Sequence, residues 1–416
     1  MKVIFLVFSI LLSLEVYSQF VVDAVIRPRA EFRNGYKVLR DSVTRPAAFV
    51  SQRSRLGFEY KNKNLSTRIT LYDACIWDEQ ELKKDITTIG IAEGWAELSI
   101  QSNWTIRFGR QFLKYDNSWL ISPVNWNQIG AAHDAIKITF RKNHFQGDFV
   151  SAFNQTGEHL YGTELEGLVN SYKTLNIFWL SKSFGAFRFS TLNILEGLQG
   201  SEYKTATYVR FTPGLIGEYK SDGIRTAFRA FWQTGHLKDG REVDAWFLHI
   251  EGMMIPGPKT RLTAGIEIKS GNPSNADSGR ISRAFDILYG ARHRFNGDMD
   301  YFSTPATTLE AGLVNPYLRC NHYLSDRLDM TVTLHSFSLQ GHYYTEGRAV
   351  DRFLGFETDL KARYRLNDFV IFEGGWAWMN TTDTMGVIKG GDPEKFNQWA
   401  WLMVTVSQEL FRSGEN

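Results

Sequence analysis

The sequence predicts an all-β fold, a transmembrane antiparallel β-barrel of about eighteen strands with short periplasmic turns and longer extracellular loops. Three observations predict it: apolar and polar residues alternate in segment after segment, the polar face carries full charges, and short breaks alternate with longer polar ones. Period-two alternation is the pattern of a β-strand. A soluble β-sandwich would have to place the charged face in water, whereas a membrane barrel turns it towards a wet lumen.

The stretch 106–140 shows this pattern most fully. In its first arm Ile106 and Phe108 oppose Arg107, and in its second arm Ile136 opposes Lys137. A polar, aromatic loop without helical periodicity joins the two arms. We therefore interpret 106–140 as two strands joined by a long loop.

The remaining strands follow from the same alternation and from the breaks between segments. Asp222-Gly223 is a strong hairpin turn, and Pro213 predicts a bulge or a locally unpaired position inside a strand. An even strand number puts both termini in the periplasm, and a barrel of this size encloses a channel. The predicted strands are 20–33, 48–61, 65–77, 91–101, the two arms of 106–140, 145–154, 172–182, 187–195, 206–219, 224–234, 245–255, 261–269, 309–323, 328–339, 353–366, 369–379 and 399–411.

The first eighteen residues have the layout of a secretory signal. Lys2 precedes an apolar run over 3–14, which is too short to span a bilayer as a helix, and cleavage is expected before Gln19. We predict a signal peptide at 1–18 and a single barrel domain at 19–416.

The composition agrees with a barrel in the outer membrane of a Gram-negative bacterium. The mean hydropathy is −0.27, but a barrel exposes only alternate residues to lipid. Aromatic residues make up 14%, which suits interfacial girdles, although a soluble carbohydrate-binding β-protein would also be aromatic-rich. The net charge of +2 gives no case for nucleic acid. Arg outnumbers Lys by 28 to 19, which favours an anionic solute.

Several short motifs resemble the alginate-export family of outer-membrane β-barrels. They are Gly109-Arg110-Gln111, the pair Tyr115-Asp116, Trp126, His133-Asp134-Ala135, Gln52-Arg53-Ser54-Arg55-Leu56, and the run from Arg292 to Phe302. The resemblance implies an export barrel whose solute is a uronic-acid polysaccharide. The chain is short for such an exporter, and it does not end on an aromatic residue.

Inward-facing arginines are the first candidate site. Rings of Arg form anion pathways, although pairing with inward carboxylates would make the same residues structural. Arg110 enters through the family motif alone, because its parity differs from that of Arg107; either a bulge intervenes or Arg110 lies above the lipid belt. The candidate pathway residues are Arg27, Arg29, Arg53, Arg55, Arg107, Arg110, Arg229, Arg319 and Arg363.

The long irregular stretch 270–305 is the second candidate, because a segment of that length without regular structure is usually functional. If it folds into the lumen, it places a basic patch at the narrowest point; otherwise it is a solvated loop. Its candidate constriction residues are Arg292, His293, Arg294, Asp298 and Asp300.

Enzymatic and metal chemistry find no support in the sequence. No G-x-S-x-G, HExxH or Gly-rich phosphate loop is present, and Cys75 and Cys320 have no metal-ligand spacing. We therefore expect no enzyme, no cofactor and no metal site.

The sequence thus predicts an outer-membrane channel, in contact with outer-membrane lipid, for passive passage of an anionic or hydrophilic solute. Two alternatives remain open. A general small-solute porin would lack the excess of unpaired Arg. A plugged barrel acting as a surface carbohydrate-binding protein would use the loops 35–46, 76–90 and 380–398.

Overall fold

The computed structural model describes residues 18–77, 89–165, 171–275 and 279–413. The sequence-predicted signal peptide lies outside these residues except for Ser18, and so does most of the candidate surface loop 76–90.

Eighteen antiparallel strands form one barrel, as predicted. Each predicted strand overlaps one observed strand, with ends that differ by a few residues. The strands are β1 (Gln19–Asn34), β2 (Ala47–Lys61), β3 (Leu65–Ile76), β4 (Gly90–Gln101), β5 (Trp104–Gln111), β6 (His133–Lys142), β7 (Phe145–Phe153), β8 (Thr174–Phe184), β9 (Phe187–Gln199), β10 (Thr207–Thr212 and Gly214–Lys220), β11 (Ile224–His236), β12 (Glu242–Gly257), β13 (Thr260–Lys269), β14 (Leu313–Tyr323), β15 (Leu328–Ser338), β16 (Phe353–Arg365), β17 (Val370–Thr381) and β18 (Asn397–Arg412).

The barrel closes between its first and last strands. β1 pairs with β2 on one side and with β18 on the other, where Val21 lies opposite Arg412 and Asn34 opposite Gln398. Closure satisfies the backbone groups that an open sheet edge would leave unpaired in lipid. The short turns, the start of β1 and the end of β18 lie at one end of the barrel, here called the turn end. The long loops lie at the other end, here called the loop end.

Pro213 interrupts β10 without inserting a residue. Phe211 lies opposite Thr234 and Gly214 opposite Phe231, so both strands advance by the same number of positions. Trp232 donates its backbone N–H to the Pro213 carbonyl oxygen at 3.0 Å. Of the two predicted possibilities, the locally unpaired position is the one observed, because proline has no N–H to give to the ladder.

The two faces of the wall have opposite chemistry. On β1 the outward Ile26 and Phe32 are 49% and 38% exposed, whereas the inward Arg27 and Glu31 are each 4% exposed. Apolar side chains therefore cover the outside and charged ones the inside, as in a membrane barrel. Among the described residues, no helix is long and apolar enough to cross a membrane.

The interior is filled in part by loops that follow β5 and β13. Leu120, Ile121 and Leu288 belong to one buried apolar cluster, and Tyr301 and Phe302 to a second. β14 begins at Leu313 rather than at the predicted residue 309, because Leu309 and Glu310 have left-handed φ angles of 50° and 61° that no strand adopts.

Candidate functional site

The first lumenal loop, residues 112–132, joins β5 to β6 and is anchored by Asp116. The Asp116 carboxylate accepts hydrogen bonds from Trp179 Nε1 at 2.7 Å and from the side chains of Arg188 and Ser190, each at 2.8 Å. These donors lie on the inward faces of β8 and β9. Asp116 has φ +40°, and Asn117 and Ser118 follow with φ +66° and +72°. Such a left-handed run is costly, and the three bonds to the wall stabilise it.

The second lumenal loop, described at residues 270–275 and 279–312, folds into the barrel. Lys361 Nζ of β16 contacts Asp298 Oδ1 at 2.7 Å, and Glu357 of the same strand accepts the Met299 backbone N–H at 2.8 Å. On the opposite wall, the Tyr289 hydroxyl donates to Glu196 of β9 at 2.7 Å. The loop therefore crosses the lumen, which is the placement that a constriction requires.

The two lumenal loops are joined to each other. Ser122 N–H donates to the Tyr289 carbonyl oxygen, and Tyr289 N–H donates to the Leu120 carbonyl oxygen, both at 3.0 Å. The rings of Trp119 and Phe295 stack with centroids 3.6 Å apart. Backbone hydrogen bonds and an aromatic stack thus join two loops that are far apart in sequence. We call the joined segments, around residues 119–122 and 288–295, the partition.

Arg27 and Arg53 of β1 and β2 form a basic wall beneath the first lumenal loop. Arg27 donates to the carbonyl oxygens of Asn125, Trp126 and Asn127 at 2.8–3.1 Å. Arg53 donates to Asn125 Oδ1 at 3.0 Å. These acceptors are neutral, and within the described ranges no carboxylate lies at ion-pair distance from either guanidinium. Neither guanidinium is therefore neutralised by a direct ion pair, although Glu373 lines the same cavity as Arg27.

The turn that covers this wall is strained at Val124. Its φ of +47° is an outlier for a β-branched residue. Strain of this kind persists where surrounding contacts fix the backbone. Here the Val124 N–H donates to Ser122 Oγ at 3.0 Å, and Arg27 donates to the next carbonyl oxygen, that of Asn125, at 2.8 Å. The strained position therefore marks the segment that presents Asn125, Trp126 and Asn127 to the basic wall.

Other predicted pathway arginines form part of a lattice of ion pairs. Arg29 contacts Glu31 at 2.8 Å, Arg107 contacts Glu97 at 2.9 Å, and Arg229 contacts Glu218 at 3.0 Å. These three charges are locally neutralised, so they stabilise the inner wall more than they attract a solute.

Three further predicted arginines face the lumen without a carboxylate partner in the described part of the chain. Arg55 lies 5.5 Å from the Phe112 ring centroid, and Arg319 donates to Thr333 Oγ1 at 3.3 Å. Arg363 follows Lys361 on the inward face of β16 and is exposed near the turn end.

The predicted lumenal position of Arg110 is wrong. Its guanidinium pairs with Asp134 at 2.8 Å, and the two side chains are 47% and 54% exposed. The ladder with β4 continues through Gly109 and Arg110 without a register shift there, so no bulge turns the side chain inward. Arg110 lies on the outer face near the loop end, because its parity is opposite to that of Arg107.

Two cavities lie on opposite sides of the partition and share Arg292. The loop-side cavity has a volume of about 460 Å³ and is lined by Arg210, Arg241 and Tyr289. The turn-side cavity also has about 460 Å³ and is lined by Arg27, Trp126 and Glu373. Arg292 lines both cavities; its guanidinium donates to the Leu288 carbonyl oxygen at 2.7 Å and lies 3.5 Å from Asp286.

A third cavity of about 370 Å³ continues the turn side. It shares Arg294 and Lys361 with the cavity beneath Trp126 and is also lined by Arg229, Arg319 and Asp359. Basic groups therefore outnumber acidic ones around the two connected spaces.

The remaining predicted constriction residues hold the second lumenal loop in place. The His293 ring stacks on Trp126 with centroids 4.6 Å apart, and its Nδ1 lies 3.0 Å from Asp300 Oδ1. Burial alone would raise the pKa of Asp300, but the interaction with His293 and the hydrogen bond from Tyr36 outweigh it and hold the pKa below its ordinary value. Asp298 forms an ion pair with Lys361. Neither carboxylate is therefore available to repel an anion as an isolated charge.

The sequence did not predict that the carbonyl oxygens of Asn125 and Asn127 would accept hydrogen bonds from Arg27. Trp126 stood out as an aromatic residue in a polar loop, but its neighbours act through backbone oxygens, which every residue carries. The positive φ of Val124 leaves no mark in the sequence either. No group of three or more His, Cys, Asp or Glu in the described residues could hold a metal ion.

The fold and its loop-crossed, basic lumen define an outer-membrane β-barrel of the porin type. Residues 21–153 match the model of the family described as alginate export, which confirms the resemblance over that part of the chain. The matching family is described as alginate export and one solved structure with this fold as an outer membrane protein; neither description is of an enzyme. No curated protein matches the sequence.

Solved structures with the same fold cover nearly the whole chain. OccAB1 of Acinetobacter baumannii aligns with a TM-score of 0.63 at 11% identity, over 94% of this chain and 97% of that one. OpdK of Pseudomonas aeruginosa, solved with vanillate, aligns with a TM-score of 0.62 at 10% identity, over 94% and 98%. OpdQ of Pseudomonas aeruginosa aligns with a TM-score of 0.60 at 12% identity, over 95% and 98%.

Proposed function

We propose that the protein is a passive channel for small anionic solutes, selected by the basic lumen beneath the partition. The observation that carries this proposal is that Arg27 and Arg53 face the lumen and bond only to neutral acceptors. A positive field raises the local concentration of anions, and groups that bind weakly and repeatedly allow release. An anion that moves from the loop-side cavity to the turn-side cavity would pass Arg292.

The solute class we propose is a small carboxylate, for example a single uronic acid or a short oligomer of it. A planar guanidinium can grip a carboxylate through two parallel hydrogen bonds. Vanillate, present in the structure of OpdK, is also a small carboxylate. The family resemblance favours uronic acids. Two crossing loops and cavities of about 460 Å³ favour a monomer or short oligomer over an extended polysaccharide.

Planar-bilayer recordings of the refolded protein test this proposal. The reversal potential in a salt gradient should show anion preference, and Arg27→Gln/Arg53→Gln should reduce it. Arg27→Lys/Arg53→Lys keeps the charge and should preserve the preference. Arg110→Gln, on the outer face, is the matched control and should leave the preference unchanged.

Liposome swelling extends the test to solutes. Glucuronate should enter faster than glucose in the wild type, and the Gln double variant should lose the difference. A bilayer that stays silent would contradict the channel and indicate a plugged barrel whose loops bind ligand. Conduction without ion preference would instead indicate a general small-solute porin.

A further inference from the structure

A basic and aromatic pocket lies on the outside of the barrel at the turn end. This rim pocket is formed by Phe140, Lys142, Phe145, Lys182 and Phe184 and has a volume of about 590 Å³. It surrounds the turns that join β6 to β7 and β8 to β9, on the opposite face of the wall from the lumen. No part of the proposed channel uses it.

Strand register places two lysines on either side of one phenylalanine. Lys142 of β6 lies opposite Phe145 of β7, and Phe145 lies opposite Lys182 of β8. The side chains that precede Phe140 and Lys182, those of Thr139 and Ser181, are buried on the lumen side. By alternation the two lysines and Phe145 share the outer face, and two strand spacings of about 4.8 Å separate the lysine backbones by about 10 Å.

Cations are unexpected on this part of the outer surface. The outward residues of nearby strands at the turn end are aromatic, with Trp104 43% exposed and Phe187 49% exposed. Lys182 Nζ lies 4.7 Å from the Phe184 ring centroid. In the described ranges neither Lys142 nor Lys182 has a carboxylate at ion-pair distance. A lipid-facing lysine at a rim holds its charge at the headgroup level, where its natural counterion is a phosphate.

The surface next to the lysines is apolar and shallow. Gly147 lies between Phe140 and Leu180 in the adjoining row of the sheet. Because Gly147 adds no side chain, the Leu180 side chain leans over it, with its Cδ2 2.9 Å from where a Cβ would stand, and the row forms one low apolar surface. That shape suits the start of an acyl chain, directly beside a pair of cations at the level of the headgroups.

We propose that the rim pocket binds one anionic glycerophospholipid of the leaflet at the turn end. Lys142 and Lys182 contact the phosphate over the ring of Phe145, and the first acyl carbons lie along Phe140, Gly147 and Leu180. Charge complementarity and the apolar row together identify the ligand as a lipid rather than a soluble anion.

Native mass spectrometry of the refolded protein with added phosphatidylglycerol tests this site. Lys142→Gln/Lys182→Gln should bind the first lipid about thirtyfold more weakly than the wild type, since both cations are removed. Lys63→Gln/Lys259→Gln removes two lysines from other short turns and should bind like the wild type. Heat-modified gel migration verifies that each variant is a folded barrel.

Unchanged lipid binding in the Lys142→Gln/Lys182→Gln variant would overturn the proposal, and so would an equal loss in the control variant. A second arm uses glycerol 3-phosphate, which has the phosphate but no acyl chain. If this soluble anion displaces phosphatidylglycerol at equal concentration, the pocket is an anion site and the lipid assignment is wrong.

Discussion

The guanidinium of Arg29 lies over the indole ring of Trp126, 4.3 Å from its centroid, and donates a hydrogen bond of 2.8 Å to the carbonyl oxygen of the same residue. One wall residue thus holds both the side chain and the backbone of the first lumenal loop. His293 stacks on the same indole, so Trp126 also connects the first lumenal loop to the second. Trp126 therefore lies in contact with the wall and with both lumenal loops.

Removing the indole should widen the channel. In Trp126→Ala the loops lose a cation–π contact and an aromatic stack, together worth about 1–3 kcal/mol. Single-channel conductance should rise, and anion preference should persist because Arg27 and Arg53 remain. Trp376→Ala, which removes a 43% exposed tryptophan on the outer face, is the control. Unchanged conductance in Trp126→Ala would show that the narrowest point lies elsewhere.

The ion pair between Lys361 and Asp298 should stabilise the second lumenal loop against the wall. Lys361→Met leaves the Asp298 carboxylate buried without its cation, and we expect a loss of roughly 2 kcal/mol in the free energy of unfolding. This is less than for a fully buried pair, because the Lys361 side chain is 40% exposed. Urea unfolding of Lys361→Met, Asp298→Asn and the double variant measures the coupling.

The double variant should be less destabilised than the sum of the two single variants, because it leaves no unpaired charge. Lys395→Met breaks an exposed pair with Asp392 and should cost less than about 1 kcal/mol. Additive losses at Lys361 and Asp298 would contradict a direct interaction.

Asp116→Ala should loosen the first lumenal loop. The substitution leaves three donors without their acceptor, at the start of a run of left-handed residues, and should cost about 3 kcal/mol. Single-channel recordings should show added open-state noise as the loop moves. Asp41→Ala changes an exposed carboxylate of another loop and serves as the control. A quiet channel with normal stability would exclude the anchoring role of Asp116.

Lys389 should make stability depend on pH in the alkaline range. It lies in the short helix Asp383–Lys389, donates to the Tyr301 carbonyl oxygen and lies 5.4 Å from the Phe302 ring centroid. Burial lowers the pKa of Lys389 to about 8. Between pH 8 and its ordinary value of 10.5, the unfolded chain binds a proton that the folded protein does not, so stability rises with pH.

The measurement is the difference in unfolding free energy between the wild type and Lys389→Met at pH 7.5, 9 and 10. The unfolding free energy of the wild type should increase with pH relative to that of Lys389→Met. Lys395→Met, an exposed lysine of the same loop, controls for loss of charge. A difference that is constant with pH would contradict the burial of a charged Lys389.

Alternation was sufficient to predict the wall of the barrel. Ile26 and Arg27 are adjacent in sequence and face lipid and lumen, because the period of two is a property of every strand. The same rule already separated Arg107 from Arg110, and the error at Arg110 came from giving a family motif more weight than parity. Position along a strand and side of the sheet were therefore readable from the sequence.

The partition was not readable in the same way. Trp119 and Phe295 are far apart in the chain, and their stacking depends on how two irregular loops fold back into the barrel. In a polar loop without periodicity, no rule predicts from the sequence whether the loop folds into the lumen or out into solvent. The unpaired state of Arg27 also had no local signal, because its neutral acceptors are backbone oxygens of residues about a hundred positions away.

The seam between β1 and β18 has a consequence for biogenesis. Phe20 N–H donates to Ser413 Oγ across 393 positions of sequence, next to the ladder that closes the wall. β1 is synthesised before the other strands and β18 after them. One edge of β1 therefore stays unpaired until β18 has been synthesised. An uncovered strand edge is a template for aggregation. Until the last strand arrives, the free edge of β1 is therefore the part of the wall most open to pairing with another chain.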